Sequence, residues 1–307
     1  MGHIPAGTDA AGRATGDLPR LARGVPGVDA WFGGHSHNRV IDEVNGVPVM
    51  IAGSHGELIA VCDFRVDPVA HRVLDRRFRL ETTYGDMVTP DSATQARVER
   101  WNAGVAASGA EPLGRNARRL TRTRGGESTL GDLVTDAMRE AVGADIAFQN
   151  SGGLRADLPE GVVTRGAIYE VMPFDNTIVT MELTGAEVRR ALEDGLQGGR
   201  VTQVSGLRFS FDLTRPAMQR VTTLLDAGGA PFDTTRTWKV AVNNFMAGGG
   251  DDYGTLARGK NSQDTQMLVR DALEKFVRAH CAGGAALDYR PQGRITRVGA
   301  APGAGSD

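Results

Sequence analysis

The strongest constraint on the fold comes from residues 31–38, where an apolar segment ends in two glycines and a His-Ser-His tip. The apolar stretch from Val28 to Phe32 predicts a buried strand, and the Gly-Gly pair predicts a tight turn directly after it. Imidazoles at His35 and His37 would lie at this tip and could offer nitrogens to one divalent metal or to two adjacent ones. The alternative is that both histidines are solvent-exposed loop residues.

The first part of the chain is predicted to hold one short helix followed by several strands. Asn45-Gly46 between two apolar runs is a strong signal for a β-hairpin, and Asp67-Pro68 separates a further pair of alternating runs. Pro19 near the start of an amphipathic turn favours a short helix. The pattern is typical of the closing edge of a layered α/β or β-sandwich domain. The predicted elements are a helix at 17–25 and strands at 28–32, 39–43, 47–52, 58–66 and 72–80.

A second domain is predicted after a connecting helix. The segment from Thr89 to Ala107 carries a helical stripe of Ala96, Val98, Trp101 and Val105, which favours an interdomain helix. Thr184 and Glu187 form a capping box at the start of a later helix. The remaining predicted elements are helices at 128–142, 184–196 and 264–280, and strands at 145–148, 177–183, 204–212, 220–225 and 238–242.

Charge and composition exclude some classes of function. The chain has 35 Lys and Arg against 37 Asp and Glu, so its formal net charge of -2 gives no indication of nucleic-acid binding. No apolar run reaches the length of a membrane span. Cys62 and Cys281 could pair, but their separation favours two unrelated thiols. The first residues show neither the basic nor the apolar region of a secretory signal.

Two glycine-rich or aromatic segments of the second domain are candidate binding elements. Residues 149–155 (QNSGGLR) follow a predicted buried strand, and their glycines would let the backbone approach a ligand closely. Phe174 lies three residues before another predicted strand. Taken separately, the first is typical of an ordinary glycine turn and the second of a core aromatic residue.

A third segment points more strongly to a ligand. Five residues, three of them glycines, separate Phe245 from Asp251 after a predicted strand. An aromatic face with a carboxylate is suited to a base and a ribose diol. Arg122 and Arg124, which precede a predicted helix, could bind an anion or could be solvated. Together these residue types suggest a nucleotide, since stacking and charge-assisted hydrogen bonds match its base and phosphate.

Taken in order, these motifs resemble those of the 5′-nucleotidase family, which fuses a metallophosphoesterase domain to a nucleotide-binding C-terminal domain. The similarity runs from about His3 to about Val298. It implies a mixed α/β (α+β) fold, with a C-terminal remnant of a four-layer metallophosphoesterase sandwich at 1–85 and an α/β 5′-nucleotidase C-terminal domain at 110–298. A linker helix is expected at 86–109, and a disordered tail at 299–307. The matching motifs are residues 33–37 (GGHSH), 127–133 (ESTLGDL), 150–155 (NSGGLR), 173–176 (PFDN), 203–206 (QVSG) and 249–251 (GGD).

The resemblance implies a dinuclear metal centre in the first domain. His3 and His35 match ligands of one metal, and His37 matches a ligand of the other. The two divalent ions would be Mn, Zn, Mg or Co. From the residues alone, His3 is instead a mobile histidine close to the start of the chain.

The resemblance also implies a nucleotide site in the second domain. The substrate would be a nucleoside 5′-monophosphate or a related nucleotide such as a UDP-sugar or a 2′,3′-cyclic nucleotide. The matching residues are Phe174 and Phe245 on the two faces of the base, Asn150 near the base, Asp251 on the ribose, Arg124 and Arg155 on ribose and phosphate, and Gly153 and Gly249 in the binding turns.

The chain departs from the family in its catalytic motifs. The Asp-x-His motif, a bridging aspartate and the Gly-Asn-His-Glu motif, which carries the catalytic histidine, do not occur in this sequence. We therefore expect an N-terminally truncated phosphohydrolase of nucleotide catabolism that by itself binds metal weakly and hydrolyses nucleotides poorly. The alternatives are a non-catalytic nucleotide-binding module and half of a split enzyme with a separate N-terminal half. Family analogy suggests a periplasmic, secreted or cell-surface location.

Overall fold

A helix joins the two parts of the molecule. In the computed structural model, which describes residues 2–86, 88–197 and 200–299, the chain divides into units at 1–100 and 101–307. The division falls inside the helix Ser92–Gly109, which the sequence predicted within two or three residues at each end. None of its residues is buried, and Trp101 is 73% exposed, so the predicted stripe does not pack into a core. The expected disordered tail lies outside the described residues from position 300 onward.

The first unit is built from short strands and one helix. No helix within the described residues is both long enough and apolar enough to cross a membrane. The elements of this unit, up to the joining helix, are β1 Gly7–Thr8, β2 Ala14–Thr15, α1 Asp17–Gly24, β3 Trp31–Phe32, β4 Arg39–Val44, β5 Val47–Ala52, β6 Leu58–Asp67, β7 Arg72–Thr82 and α2 Ser92–Gly109.

The predicted hairpin is confirmed and forms the centre of this unit. Asn45 and Gly46 have φ values of 53° and 74°, the left-handed conformations that a type I′ turn needs. Strand β5 also pairs in parallel with β3, whose Trp31 lies opposite Val49. The predicted strand at 28–32 is wrong for residues 28–30, because the chain is still irregular after Gly27, where φ is 78°.

A small core lies between α1 and the β4–β5 hairpin. Leu18 of the helix is fully buried and packs with Val40 and Val49 of the strands. The second strand pair, β6 and β7, is confirmed as a long antiparallel ribbon, but none of its residues is buried. Ile59 and Phe64 are 55% and 41% exposed, so this ribbon adds little apolar burial to the unit.

The second unit holds most of the regular structure. Its elements are β8 Pro112–Asn116, α3 Thr129–Ala141, β9 Ile146–Gln149, β10 Gly161–Thr164, α4 Arg165–Val171, β11 Thr177–Thr184, α5 Gly185–Gly195, β12 Gln203–Ser205, β13 Leu207–Phe211, β14 Val221–Asp226, β15 Thr237–Asn243, α6 Asn244–Ala247, β16 Lys260–Leu268, α7 Val269–His280 and β17 Ile295–Arg297.

A five-stranded sheet in the order β12-β9-β15-β11-β16 divides this unit into layers. Strands β9 and β15 run parallel and the other neighbours run antiparallel. Because side chains alternate across a strand, Val240 and Val242 pack with Leu192 of α5, whereas Ala241 packs with α3 and α7 on the opposite face. The sheet is therefore covered on both faces, which explains why every residue of β9 and β12 is buried.

Two predicted elements of this unit are wrong in part. The predicted strand at 204–212 is broken at Gly206, where φ is 87° and a Cβ would overlap the carbonyl oxygen of Asp145. The predicted helix at 264–280 begins only at Val269. Residues 264–268 belong instead to β16, an edge strand whose pairing with β11 is twice irregular. Asn261 and Gln266 in this strand have φ values of 49° and 59°.

Two predicted helix starts, those of α3 and α5, are confirmed by side-chain caps. Ser128 accepts a hydrogen bond from the backbone nitrogen of Gly131 at 3.0 Å, which satisfies one free donor at the start of α3. Thr184 and Glu187 form the predicted capping box of α5. These caps are local interactions, so the sequence by itself was sufficient to place them.

Two carboxylates of α3, Asp132 and Asp136, lie close to the Arg294 guanidinium. Burial would raise the pKa of Asp136, but hydrogen bonds from the Arg294 guanidinium, at 2.8 Å, bring that pKa below its usual value. Asp132 is fully buried, and neither of its oxygens has a hydrogen-bond partner among the described residues. Burial raises its pKa to about 8, against the influence of Arg294 and with a further contribution from Glu127.

We expect Asp132→Asn to stabilise the protein increasingly as the pH rises from 5 to 8. Since the folded state holds a proton on Asp132 that the unfolded state releases near pH 4, the stability of the parent chain falls across this window and levels off above the folded pKa. The gain in free energy of unfolding should grow by at least about 1 kcal/mol between pH 5 and 8. Urea unfolding at several pH values measures it.

The matched control is Asp136→Asn, which removes a paired carboxylate of the same helix. It should destabilise the protein at pH 7, because the buried Arg294 loses its partner. A pH-independent difference between Asp132→Asn and the parent chain would contradict the assignment of a protonated Asp132.

Candidate functional site

One edge of the five-stranded sheet gathers most of the predicted binding residues. The parallel strands β9 and β15 end at this edge, so that Asn150 and Asn244 follow them at neighbouring positions. The antiparallel partners β11 and β12 begin there, which brings the segments before them to the same place. The edge is therefore formed by residues 149–155, 172–176, 200–203 and 243–252. The carboxyl ends of parallel strands are a common location for ligand sites in α/β folds.

Side-chain amides fix the two strand ends to each other. Asn243 donates a hydrogen bond from Nδ2 to Asn150 Oδ1 at 2.9 Å and another to Gln149 Oε1 at 3.1 Å. Gln149 donates in turn from Nε2 to Asn150 Oδ1 at 3.0 Å. Asn150 then has its own Nδ2 left for a further acceptor. These buried amides satisfy one another and hold Asn150 in one orientation.

That further acceptor is Asp251, at the centre of the site. Asn150 Nδ2 donates to Asp251 Oδ2 at 2.9 Å, and Arg200 Nη1 donates to Oδ1 at 2.5 Å. The Asp251 backbone has a φ of 55°, which is uncommon for a residue with a side chain and is frequent at functional sites. The structure thus brings the predicted residues Asn150 and Asp251 together. It adds Arg200, which no motif in the sequence indicates.

Arginines surround this carboxylate. Burial lowers the pKa of the Arg124 guanidinium, and the positive charges of three neighbours lower it further: Arg200, Arg155 and Arg122. Asp251 acts in the opposite direction. The backbone nitrogen of Val201 donates to the carbonyl oxygen of Arg124 at 2.8 Å, so the loop before α3 is tied to the segment before β12. Such an excess of guanidinium groups is suited to an anion such as a phosphate.

The Gln203 side chain holds the loop that carries Arg124 in position. Its Oε1 accepts from the backbone nitrogen of Ser128 at 2.9 Å, and its Nε2 donates to the carbonyl oxygen of Gly126 at 2.9 Å. Both bonds cross between β12 and the loop that carries Arg124. Gln203 is fully buried, so the motif at 203–206 positions the loop through bonds to its backbone and does not face a ligand directly.

The two predicted aromatic residues are exposed at the same edge. Phe174 and Phe245 are 46% and 45% exposed, so both rings have surface available for stacking. The Arg155 guanidinium lies 5.8 Å from the centre of the Phe174 ring. A Cβ at position 250 would overlap the Phe245 ring, so glycine is required there for the ring to pack. That the two rings enclose a base remains a prediction.

The predicted glycines have steric reasons to be glycine. Gly249 has a φ of 86°, in the left-handed region, and lets the chain turn between Phe245 and Asp251. Gly153 has no such φ, but a Cβ there would overlap Nε2 of Gln149. At the adjacent Gly152, a Cβ would lie 3.6 Å from Asp251 Oδ2, which is ordinary contact.

The first unit brings two of its three predicted histidines together. His35 Nδ1 and His3 Nε2 are 2.9 Å apart, and the ring centres are 4.8 Å apart in an edge-on arrangement. The close approach of the two segments causes this: Gly34 donates from its backbone nitrogen to Ile4 O at 3.0 Å. A Cβ at Gly33 would lie 2.6 Å from the same oxygen, so glycine is required.

The third histidine, His37, lies against a different ring. It is edge-on to His55, with ring centres 5.8 Å apart, although His55 was given no role in the sequence analysis. Both residues have positive φ, 59° and 58°, in the loops that follow β3 and β5. No local pattern in the chain signals this pairing, because the two histidines meet only through the parallel contact of those strands.

The histidines fit a metal only in part. His3 Nε2 and His35 Nδ1 lie 2.9 Å apart, within hydrogen-bonding distance, so the two rings are adjacent and could supply two nitrogens to one metal. Within the described residues, however, no group of three or more His, Cys, Asp or Glu side chains could hold a metal ion. The donor set in this part of the chain therefore does not complete a metal site.

Comparison with known proteins identifies the family of this chain. Residues 103–258, about half of the sequence, match the family described as the 5′-nucleotidase C-terminal domain. The chain belongs to the 5′-nucleotidase family. The matched region includes the whole arginine, aromatic and carboxylate site at the edge of the sheet, so the predicted family resemblance is confirmed.

One relative extends the likeness into the first unit. The chain is 28% identical over 303 residues to the trifunctional nucleotide phosphoesterase protein YfkN of Bacillus subtilis, which covers 91% of this chain and 20% of YfkN. It is 29% identical over 187 residues to the cell wall protein Lmo0130 of Listeria monocytogenes, which covers 55% of this chain and 23% of Lmo0130. The chain thus spans about a fifth of the length of these two relatives.

A solved structure confirms the fold class. The 5′-nucleotidase precursor from Thermus thermophilus superimposes with a TM-score of 0.74 at 30% sequence identity. The match covers 92% of this chain and 62% of the Thermus chain. The mixed α/β fold, with a metallophosphoesterase portion followed by the family's C-terminal domain, is therefore as the sequence predicted.

We expect Gly153→Ala to destabilise the protein, because the new Cβ displaces Gln149 from the amide network at the strand ends. Overpacking of this kind costs about 1–3 kcal/mol in free energy of unfolding. Gly152→Ala is the matched control, since its Cβ meets only ordinary contacts and should change the stability by less than about 1 kcal/mol. Urea unfolding of both variants makes the comparison, and equal stabilities would contradict the steric argument.

Proposed function

We propose that the second unit binds a nucleotide at this edge of the sheet and that the enzyme hydrolyses the nucleotide's 5′-phosphate. The observation that carries the proposal is the pairing of Asn150 with Asp251 beside an arginine cluster. A carboxylate held by an amide is a fixed acceptor for ribose hydroxyls. Clustered guanidinium groups a short distance away match a phosphate. Membership of a family of nucleotide phosphoesterases supports the same assignment.

Each part of a nucleotide has a candidate partner at the site. Phe174 and Phe245, both nearly half exposed, would take the two faces of the base. Asp251 would accept from the ribose. Arg124 and Arg155 would hold the ribose and the phosphate, Asn150 would lie near the base, and Gly153 and Gly249 would form the binding turns. We propose a nucleoside 5′-monophosphate or a related nucleotide as the substrate; nothing in the composition points to nucleic acid as a partner.

The metal centre belongs to the proposal as well. We propose a site for two divalent ions, Mn, Zn, Mg or Co, which when bound would supply an activated water as the nucleophile toward phosphorus. His3 and His35 would contribute ligands to one ion and His37 a ligand to the other. The 2.9 Å separation of the first two histidines supports their pairing. Because the described residues do not complete the donor set, we assign no catalytic step to this chain's own residues.

We further propose that this chain alone hydrolyses nucleotides poorly. The alternative function is a non-catalytic nucleotide-binding module. It is favoured because side-chain hydrogen bonds hold the residues at the edge of the sheet in place, whereas the described histidines form only part of a metal site. A further alternative retains catalysis: the chain would be half of a split enzyme and would be completed by a separate N-terminal half. We also propose a location outside the cytoplasm, since one relative is a cell wall protein.

We expect Phe174→Ala and Phe245→Ala each to weaken the binding of AMP by about 1–3 kcal/mol, the usual contribution of base stacking on an aromatic ring. Calorimetric titration of the full chain measures the affinity. Trp101→Ala is the control, because Trp101 is the most exposed of the aromatic residues named above and lies on α2, outside the edge segments. Unchanged affinity in both phenylalanine variants would contradict the base-binding assignment.

For catalysis, we expect the purified chain to release phosphate from AMP slowly even with added Mn²⁺, because its described histidines do not form a complete donor set. Phosphate release is measured under single-turnover conditions. Adding His35→Ala as a second sample shows whether the residual rate depends on the paired histidines. A rapid turnover that His35→Ala abolishes would overturn the proposed impairment and establish an active metal centre.

A further inference from the structure

The motif at 127–133 carries two acidic residues that the proposed function does not use. Ser128 is the N-cap of α3, so Glu127 is the residue before the cap and Asp132 is the fourth residue of the helix. These two positions lie against each other at a helix start, where they often carry apolar side chains that pack together. Here both positions carry carboxyl groups, and the two carboxyls are in hydrogen-bond contact.

The nearby guanidinium does not satisfy Asp132. Arg294 Nε lies 3.7 Å from Asp132 Oδ1, which is beyond hydrogen-bond distance. The five N–H groups of Arg294 are engaged elsewhere, two with Asp136, two with Gln292 and one with the carbonyl oxygen of Val204. An ionised Asp132, which is fully buried, would therefore have no donor in the part of the chain that the structure describes.

A proton on Asp132 removes this difficulty, because a protonated carboxyl donates and the Glu127 carboxylate accepts. Burial raises the pKa of Asp132 to about 8; Arg294 opposes the rise, and Glu127 and Asp136 add to it as like charges. The remaining titratable neighbour is Tyr289, whose own pKa is raised above its usual value by burial, so its hydroxyl stays neutral. The proton is thus shared between Asp132 and Glu127 at pH 7.

Glu127 belongs to the loop that carries Arg124, and it holds this loop from the side opposite to β12. On the β12 side, the loop backbone bonds to Val201 and to the Gln203 side chain. On the other side, Glu127 Oε1 accepts from the backbone nitrogen of Gln292 at 2.6 Å. The proton contact with α3 is a further attachment on this side. The position of Arg124 therefore depends on the state of the two carboxyls.

We propose that Glu127 and Asp132 are positioning residues whose shared proton holds Arg124 where it contacts the nucleotide. This inference rests on the proposed function, since it assumes that Arg124 is a binding residue. When Asp132 loses the proton, the contact is lost and two like charges lie side by side at a buried place, which displaces Glu127 and the loop. The protonated form is then the competent one, and nucleotide binding is coupled to that proton.

The test is calorimetric titration of the full chain with AMP between pH 7 and 9. We expect the affinity of the parent chain to fall about tenfold over this range, because the protonated fraction of Asp132 falls by about that factor around its pKa of about 8. Binding at pH 8 should also take up about half a proton per AMP, measured in two buffers of different ionisation enthalpy. The phosphate of AMP is already doubly ionised at pH 8 and takes up none.

Two variants remove the coupling in different ways. Asp132→Asn supplies an amide donor that does not titrate, and Glu127→Gln removes one of the two like charges. Each should bind AMP at pH 9 within about threefold of the parent's affinity at pH 7, without proton uptake. The matched control is Glu140→Gln, which neutralises an exposed carboxylate at the other end of α3 and should keep the parent's pH profile. Thermal unfolding at pH 9 checks that each variant is folded.

Two other outcomes overturn the inference in distinguishable ways. If the parent's affinity is the same at pH 7 and 9, or if its fall persists in Asp132→Asn and Glu127→Gln, the two carboxyls do not position Arg124 through a proton, while nucleotide binding stands. If the parent chain binds no AMP at any pH in this range, the proposed function fails and the inference fails with it.

Discussion

The parallel pairing of β9 with β15 is the constraint on which the functional part of this molecule depends. Two parallel neighbours end at the same edge of a sheet, so the residues after each strand must meet. Here the last residues of the two strands, Gln149 and Asn243, lie side by side, and the Asn243 amide bonds directly to Gln149 and to Asn150, the residue after β9. The carboxylate of Asp251 is tied to this junction through Asn150.

Elements with local signals were predictable from the sequence. The Asn45-Gly46 turn and the caps of α3 and α5 depend on residues within a few positions of one another, and the structure has them where they were expected. The errors have non-local causes. Gly206 interrupts a strand because the carbonyl of Asp145, distant in sequence, comes too close for a side chain. Residues 264–268 pair with β11 instead of extending a helix, although their composition allows either.

The same distinction applies to the site. Motif order indicated most residues of the edge, because the family resemblance supplied positions that chemistry alone left ambiguous. It did not indicate Arg200, which follows two glycines and has no neighbour in sequence that suggests a role. Its importance appears only when β12 is paired with β9 and brings it to Asp251. The contact of His37 with His55 is hidden in sequence for the same reason.

The irregular pairing of β16 has a consequence for the behaviour of the protein in solution. This strand is the outermost strand on one side of the five-stranded sheet, a side edge distinct from the strand ends that form the site. An outermost strand offers unpaired backbone groups to the strands of other molecules. Its left-handed residues Asn261 and Gln266 and its register shifts prevent a flat, continuous edge, and Lys260 places a charge at one end. The edge is therefore poorly suited to intermolecular β-pairing, which protects a sheet rich in valine from aggregation.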